Sequence, residues 1–182
     1  MTRGRIAALT AGLVGIVGLV GVVFADDFDS VLRARLSGYQ EVPTLSSAGH
    51  ARFLARINKD ETEVEWRLSY ADLESTVTQS HIHFSAPALN GPIIVFLCSN
   101  LGNGPAGTQA CPAAPATISG VFRAADVLGN GAPMGLEAGN LAELIAAIRA
   151  GATYANVHTT VRTGGEIRGQ ISADDDHRGH DR

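Results

Sequence analysis

Residues 51–70 decide the fold: they run Ala51-Arg-Phe-Leu-Ala-Arg-Ile57, then a polar turn, then Val64-Glu-Trp-Arg-Leu-Ser-Tyr70. In both segments apolar and polar residues alternate, which is typical of a β-strand with one face in a core and the other in water. Asn58-Lys-Asp60 lies between the segments and favours a turn. The sequence therefore predicts a β-hairpin here.

Short apolar runs extend this pattern in both directions along the chain. Further strands are predicted at residues 32–36, 76–84, 92–97, 117–122, 153–161 and 166–171. One helix is predicted, because Leu141, Leu144, Ile145 and Ile148 fall at helical spacing and Asn140 is a good N-cap. The order of elements predicts an all-β fold, a Greek-key β-sandwich or barrel with one short helix.

The first 25 residues have the features of an export signal. Arg3 and Arg5 precede an uncharged apolar run over residues 6–24, and Ala25 ends the run before two aspartates. We predict a signal peptide at residues 1–25; the alternative is an uncleaved N-terminal membrane anchor, since about 19 uncharged residues can just span a bilayer. The predicted organisation continues with a flexible lead-in at residues 26–30, a domain at residues 31–172 and a disordered Asp- and His-rich tail at residues 173–182.

Composition limits the classes of function. The chain has 182 residues, of which 45% are hydrophobic and 18% charged, so it can form one domain core and is not a disordered chain. Its formal net charge of -4 argues against nucleic acid as a partner, because such proteins present a basic surface to phosphates. We expect an unknown protein or a small ligand as partner, a membrane only if residues 1–25 stay attached, and a secreted or periplasmic (cell-envelope) location.

Two cysteines, Cys98 and Cys111, flank most of a Gly-, Pro- and Ala-rich loop. In an exported protein such a pair is most simply a disulfide; two free thiols are the alternative. The bond would close a loop of about 14 residues and stabilise the fold by about 3 kcal/mol.

His81-Ile-His83 is the sharpest local motif. Residues two apart on a strand share a face, so the imidazoles of His81 and His83 project together, away from the core side marked by Ile82. This orientation lets them reach solvent or a metal. His158 has the same orientation in the strand predicted at 153–161.

If these strands are neighbours, His81, His83 and His158 form a candidate metal site, and neutral imidazoles suit copper or zinc. Glu166 and Arg168 are predicted to lie beside it, where a carboxylate could orient a ligand ring or bind a ligand itself. His50 is a further candidate ligand. The alternative is a polar face on which the histidines only form hydrogen bonds. No cofactor is certain on these grounds.

Complete catalytic patterns are missing from the sequence. There is no Gly-x-Ser-x-Gly elbow, no P-loop and no Gly-x-Gly-x-x-Gly motif. An oxidised cysteine pair supplies no thiolate nucleophile. We therefore expect no catalytic residues and a protein that is not an enzyme.

Three blocks of sequence resemble the CHRD domain, named after the extracellular protein chordin. They are Leu36-Ser-Gly-Tyr-Gln-Glu-Val-Pro43, His81-Ile-His83 with Asn90-Gly-Pro-Ile-Ile-Val-Phe-Leu97, and Tyr154-Ala-Asn-Val-His-Thr159 with Gly165-Glu-Ile-Arg-Gly-Gln170. The resemblance implies an exported, mostly β domain. A more distant, fold-level likeness to Cu/Zn superoxide dismutases implies that His81, His83 and His158 correspond to copper ligands.

Two hypotheses of function result. The first is a non-catalytic envelope or extracellular module that binds a partner or ligand. The alternative is a copper- or zinc-binding protein with a superoxide-dismutase-like histidine site, of which a redox enzyme is one form. Histidines on separate sides of the barrel would exclude the second hypothesis.

Overall fold

The computed structural model describes residues 28–173, which form one antiparallel β-structure with a single α-helix in that range. Its nine strands and its helix are, in chain order, β1 (Phe28–Ser37), β2 (His50–Asn58), β3 (Glu63–Ala71), β4 (Val77–Phe84), β5 (Ile93–Ser99), β6 (Ala116–Arg123), α1 (Leu141–Arg149), β7 (Thr153–Thr159), β8 (Ile167–Gln170) and β9 (Ser172–Ala173). The predicted all-β fold with one helix is confirmed.

The strands form one nearly closed, barrel-like sheet. Their spatial order is β5-β4-β7-β8-β1-β2-β3-β6, and β9 pairs with β1 outside this path. The end strands β5 and β6 approach each other, which nearly closes the barrel. The order places β7 between β4 and β8, so β4 becomes the neighbour of a strand that is distant in sequence.

The predicted hairpin of β2 and β3 is present, with Ala55 opposite Trp66 and Phe53 opposite Leu68. Asn58 builds the turn, because its Oδ1 accepts hydrogen bonds from the backbone N–H groups of Thr62 at 2.9 Å and Glu63 at 3.0 Å. Asparagine favours turns for this reason: its side chain replaces a backbone acceptor.

The core lies inside the barrel and under α1. Alternate residues of β1, β2 and β3 point inward, and the four apolar residues that predicted the helix are all buried in the same core. Asn140 caps the helix as predicted, since its Oδ1 accepts from the backbone N–H of Glu143 at 3.1 Å.

Cys98 and Cys111 form the predicted disulfide. Asn100 fixes the same loop, because its amide donates to the carbonyls of Val77 at 2.9 Å and Cys111 at 2.8 Å. The disulfide therefore closes the loop, and the hydrogen bonds of Asn100 hold it against the first residue of β4, Val77.

Some predicted boundaries differ from the structure. β7 ends at Thr159 rather than residue 161, and Val161, which the predicted strand included, is 61% exposed. It follows the strand, where Thr159 and Arg162 bond to each other across a tight turn. β1 begins at Phe28, so the last three residues of the predicted flexible lead-in belong to a strand.

The predicted signal peptide or anchor, residues 1–25, lies outside the described residues, as does the tail beyond Ala173. Within residues 28–173, no helix is long and apolar enough to cross a membrane.

Candidate metal centre

The register of β4 against β7 brings the three predicted histidines together. His81 lies opposite Asn156, His83 opposite Tyr154, and His158 opposite Gln79. Ile82 and Ala155, which alternate with them, point into the core. We call the outward side the histidine face, made of His81, His83, Tyr154, Asn156, His158 and Arg168.

The three imidazoles converge on one point. Each offers one nitrogen, and these nitrogens lie within 4.8 Å of one another. His81 Nδ1 is 3.3 Å from His158 Nε2. Two ligands bound at 2.0–2.1 Å in tetrahedral geometry lie roughly 3.3 Å apart, so this pair already has the spacing of a metal site.

Two of the rings are fixed by carbonyl groups on their far sides. His83 Nδ1 donates to the carbonyl of Gly91 at 2.9 Å, and His158 Nδ1 donates to that of Thr163 at 2.9 Å. Because a carbonyl only accepts, the proton of each neutral ring sits on Nδ1 and leaves Nε2 with a free lone pair. This arrangement is typical of metal-binding histidines.

Two nitrogens in the cluster have no hydrogen-bond partner among the described residues. These atoms are His81 Nε2 and His83 Nε2, and both are buried. A buried polar atom without a partner costs about 1–3 kcal/mol, so it requires an explanation. A bound cation would satisfy the lone pair of His83 Nε2.

The sequence pattern indicated that the histidines can reach solvent, but in the structure they are buried. His81 is 0% exposed, His158 6% and His83 7%. The edge of the His81 ring packs against Phe96, and the loops carrying Gly91 and Thr163 cover the other rings. The alternation predicted the side of the sheet correctly, but loops cover that side.

Burial keeps all three rings neutral. Desolvation lowers the pKa of His81 from 6.5 to about 2, helped by the nearby His158 and His83. It lowers the pKa of His83 to about 4, against the hydrogen bond to Gly91, and it lowers the pKa of His158. Neutral imidazole is the form that binds a metal ion.

Tyr154 and Arg168 form the wall of the cluster. The ring of Tyr154 stacks on His83 with centroids 4.7 Å apart and an interplanar angle of 1°. The guanidinium of Arg168 lies 4.4 Å from the same tyrosine ring. Tyr154 therefore contacts both groups, and the charge of Arg168 contributes to the lowered pKa of His83.

Arg168 is held by Glu41, from the segment after β1. Its Nε donates to Glu41 Oε2 at 2.7 Å, and Asn156 Nδ2 donates to Glu41 Oε1 at 2.6 Å. Burial raises the pKa of Glu41, against the lowering by Arg168. Gly165, at φ 125°, leaves room for this carboxylate: a Cβ there would lie 2.7 Å from Glu41 Oε1.

Glu166 and His50, the other sequence candidates, lie apart from the cluster. Glu166 Oε1 accepts from Ser47 Oγ at 2.7 Å and the Glu74 backbone N–H at 2.8 Å, and Oε2 accepts from Thr159 Oγ1 at 2.8 Å. It anchors loops rather than an imidazole. His50 is exposed and faces Asp72 at 3.6 Å.

Sequence reasoning missed the contributions of Glu41, Tyr154, Gly91 and Thr163. Glu41 is 115 residues from its partner Asn156, and no periodic pattern connects the two. The one indication in the sequence was that Glu41, Gly91 and Tyr154 lie in the three blocks that resemble a known domain.

The fold and the histidine face define a class of protein: an antiparallel β-barrel domain with three covered histidines on its outer side. A family model for the CHRD domain matches residues 32–171, so the chain belongs to the CHRD domain family. Family and disulfide are consistent with an extracellular or envelope location. Comparisons with curated proteins and with solved structures found no match.

Proposed function

We propose that this protein is an exported CHRD module that binds one copper or zinc ion through His81, His83 and His158. The observation that carries the proposal is the convergence of three buried neutral imidazoles, in which Nε2 of His81 and Nε2 of His83 have no hydrogen-bond partner among the described residues. The ligand atoms would be Nε2 of His83 and His158 and Nδ1 of His81. A bound ion would supply a positive charge and an open coordination position.

The burial of the rings favours a metal over a protein partner at this point. A side chain that is 0–7% exposed offers almost no surface to another protein. The three histidines have no acidic side chain among them, so the cluster is not a buried ion pair. In the metal-free protein, the contact of His81 Nδ1 with His158 Nε2 is a hydrogen bond of 3.3 Å.

Metal content of the purified protein tests the proposal. His177 and His180 are changed to alanine in every sample, because tail histidines bind metal nonspecifically. We expect one equivalent of copper or zinc, at least tenfold weaker binding in His83→Gln, and unchanged binding in the matched control His50→Gln. Absence of metal, together with no rise in melting temperature on adding either ion, would exclude the site.

We also propose that the module is non-catalytic. Loops carrying Gly91 and Thr163 cover the rings, so a substrate would have to displace them to reach an ion. Superoxide dismutation by the copper-loaded protein is the direct test. We expect none above background once free copper is chelated; turnover that disappears in His83→Gln would instead support the redox alternative.

A further inference from the structure

A second surface, independent of the histidines, carries a concentrated positive charge. Five exposed arginines lie on the outer side of β1, β2 and β3; we call this set the arginine face: Arg33, Arg35, Arg52, Arg56 and Arg67. The formal net charge of the whole chain is -4, so this face opposes the overall balance.

The strand register places these side chains in cross-strand rows. In one row Arg35 lies directly opposite Arg52, followed by Ser69 and Thr117. In the next row Arg33 is opposite Leu54, followed by Arg67 and Ser119. Rows on one face are about 7 Å apart, and directly opposed Cβ atoms are about 5 Å apart.

The opposition of Arg35 and Arg52 costs folding free energy. Like charges directly opposite each other on a sheet are destabilising. Within residues 28–173, Arg35, Arg52 and Arg67 form no ion pair. By contrast, Arg123, Arg149 and Arg162 each pair with a glutamate. Three exposed guanidinium groups without a counter-charge are suited to an external anion.

The other residues of the arginine face indicate what kind of anion this face would bind. Hydroxyl groups border the arginines at Ser69, Thr117 and Ser119, and Leu54 and Val121 are exposed by 43% and 38%. A groove of about 670 Å³ runs between Arg33, Leu54 and Arg67; Arg56 and one carboxylate, that of Glu65 opposite it, also line this groove. Within the described residues, the rows of this face contain no exposed aromatic side chain that could insert into a lipid bilayer or stack on a base.

We propose that the arginine face binds an acidic polysaccharide whose carboxylates lie along an extended chain. Each guanidinium can hold a carboxylate through two parallel hydrogen bonds, while the hydroxyl side chains contact sugar hydroxyls. A glycan with at most one charge per sugar suits a net acidic protein better than duplex DNA, which carries about one charge per 1.7 Å.

The probe is polygalacturonate, immobilised, with neutral dextran as the reference surface. The decisive variant is Arg35→Gln/Arg52→Gln/Arg67→Gln. The matched control is Arg123→Gln/Arg149→Gln/Arg162→Gln, which removes the same charge elsewhere. We expect the first variant to bind at least tenfold more weakly than the parent with a shallower salt dependence, and the control to stay within twofold, both remaining folded by circular dichroism.

Several results would overturn the proposal. The first is no binding of the parent to polygalacturonate at low salt, and the second is equal losses in the two triple variants. A third is tighter, arginine-dependent binding to duplex DNA or to phosphatidylglycerol vesicles. A fourth is binding that appears only after Asp174, Asp175 and Asp176 are changed to asparagine, which would assign the face to the protein's own tail.

Discussion

Strands β2 and β7 have similar sequence patterns and opposite surroundings. β2 alternates exposed and buried residues along most of its length, whereas all seven residues of β7 are buried. The outward residues of β2 include Arg52 and Arg56; those of β7 are Tyr154, Asn156 and His158. Alternation therefore identifies the core side of a strand, but it does not show whether the other side meets water.

The two outward faces are stabilised in different ways. On β7, Asn156 and His158 each have a partner on a covering loop, Glu41 for Asn156 and Thr163 for His158. On β2, the arginines are exposed, so we expect their substitution to change stability little. A substitution of the same kind should therefore lower the free energy of unfolding strongly on the histidine face and only slightly on the arginine face.

The largest expected difference is in the response to acid. The pKa values of His81 and His83 in the folded protein, about 2 and about 4, lie below the unfolded value of 6.5. The unfolded chain therefore binds more protons below pH 6.5, so stability is complete above pH 6.5 and falls as the pH drops. Two histidines give a slope of roughly 3 kcal/mol per pH unit, slightly offset by the raised pKa of Glu41.

Urea unfolding of the metal-free protein between pH 7.5 and 4.5 measures this slope. His83→Gln should flatten it, while the exposed His50→Gln should leave it unchanged. A free energy of unfolding that stays constant down to pH 5 would contradict the assignment of neutral buried rings.

The next largest difference is in the stability lost when an arginine is replaced by alanine on each face. Arg168→Ala leaves the carboxylate of Glu41, 4% exposed, buried without its cation, which costs about 3–5 kcal/mol. Arg67→Ala removes a hydrated side chain and changes stability by at most about 0.5 kcal/mol. Denaturant midpoints of the two variants give the comparison directly. Equal losses would mean that the arginine face is also covered.

A smaller difference separates two adjacent glycines. Gly165 has a φ of 125° and lies against Glu41 and Asn156, whereas a Cβ added at Gly164 would meet no atom within 4 Å. Gly165→Ala should cost about 1–3 kcal/mol and displace Glu41, while Gly164→Ala should be nearly neutral. Thermal unfolding of both variants checks this. A tolerant Gly165 would show that Glu41 is not closely packed.

Much of the fold could be predicted from sequence, because alternation and capping are local. The hairpin at Asn58, the helix capped by Asn140 and the disulfide all followed from residues close together in the chain. The histidines were grouped correctly by period-two spacing, which fixes the side of a strand. Their common location also required β4 to neighbour β7, which is a property of topology.

The remaining features depend on contacts that no local pattern encodes. The burial of His81 and the partner of Glu41 come from loops distant in sequence. Net charge likewise does not describe local charge, since an acidic total accompanies five arginines on one face. Both cases depend on which segments the barrel brings together.

The smallest predicted effect reverses the usual sign of a mutation. Arg52→Thr removes the like-charge opposition with Arg35 and places a β-branched residue on the exposed side of β2. Both changes favour the strand, so the variant should be more stable by up to about 0.5 kcal/mol. The gain should shrink in 1 M salt, where the Debye length is about 3 Å. Denaturant unfolding at low and high salt separates the electrostatic part from strand propensity.

Arg56→Thr, on the same strand but opposite Glu65, is the matched control and should give no such salt-dependent gain. Equal gains at both positions would trace the effect to propensity alone. A salt-dependent gain confined to Arg52 would show that the protein retains an arginine that destabilises it.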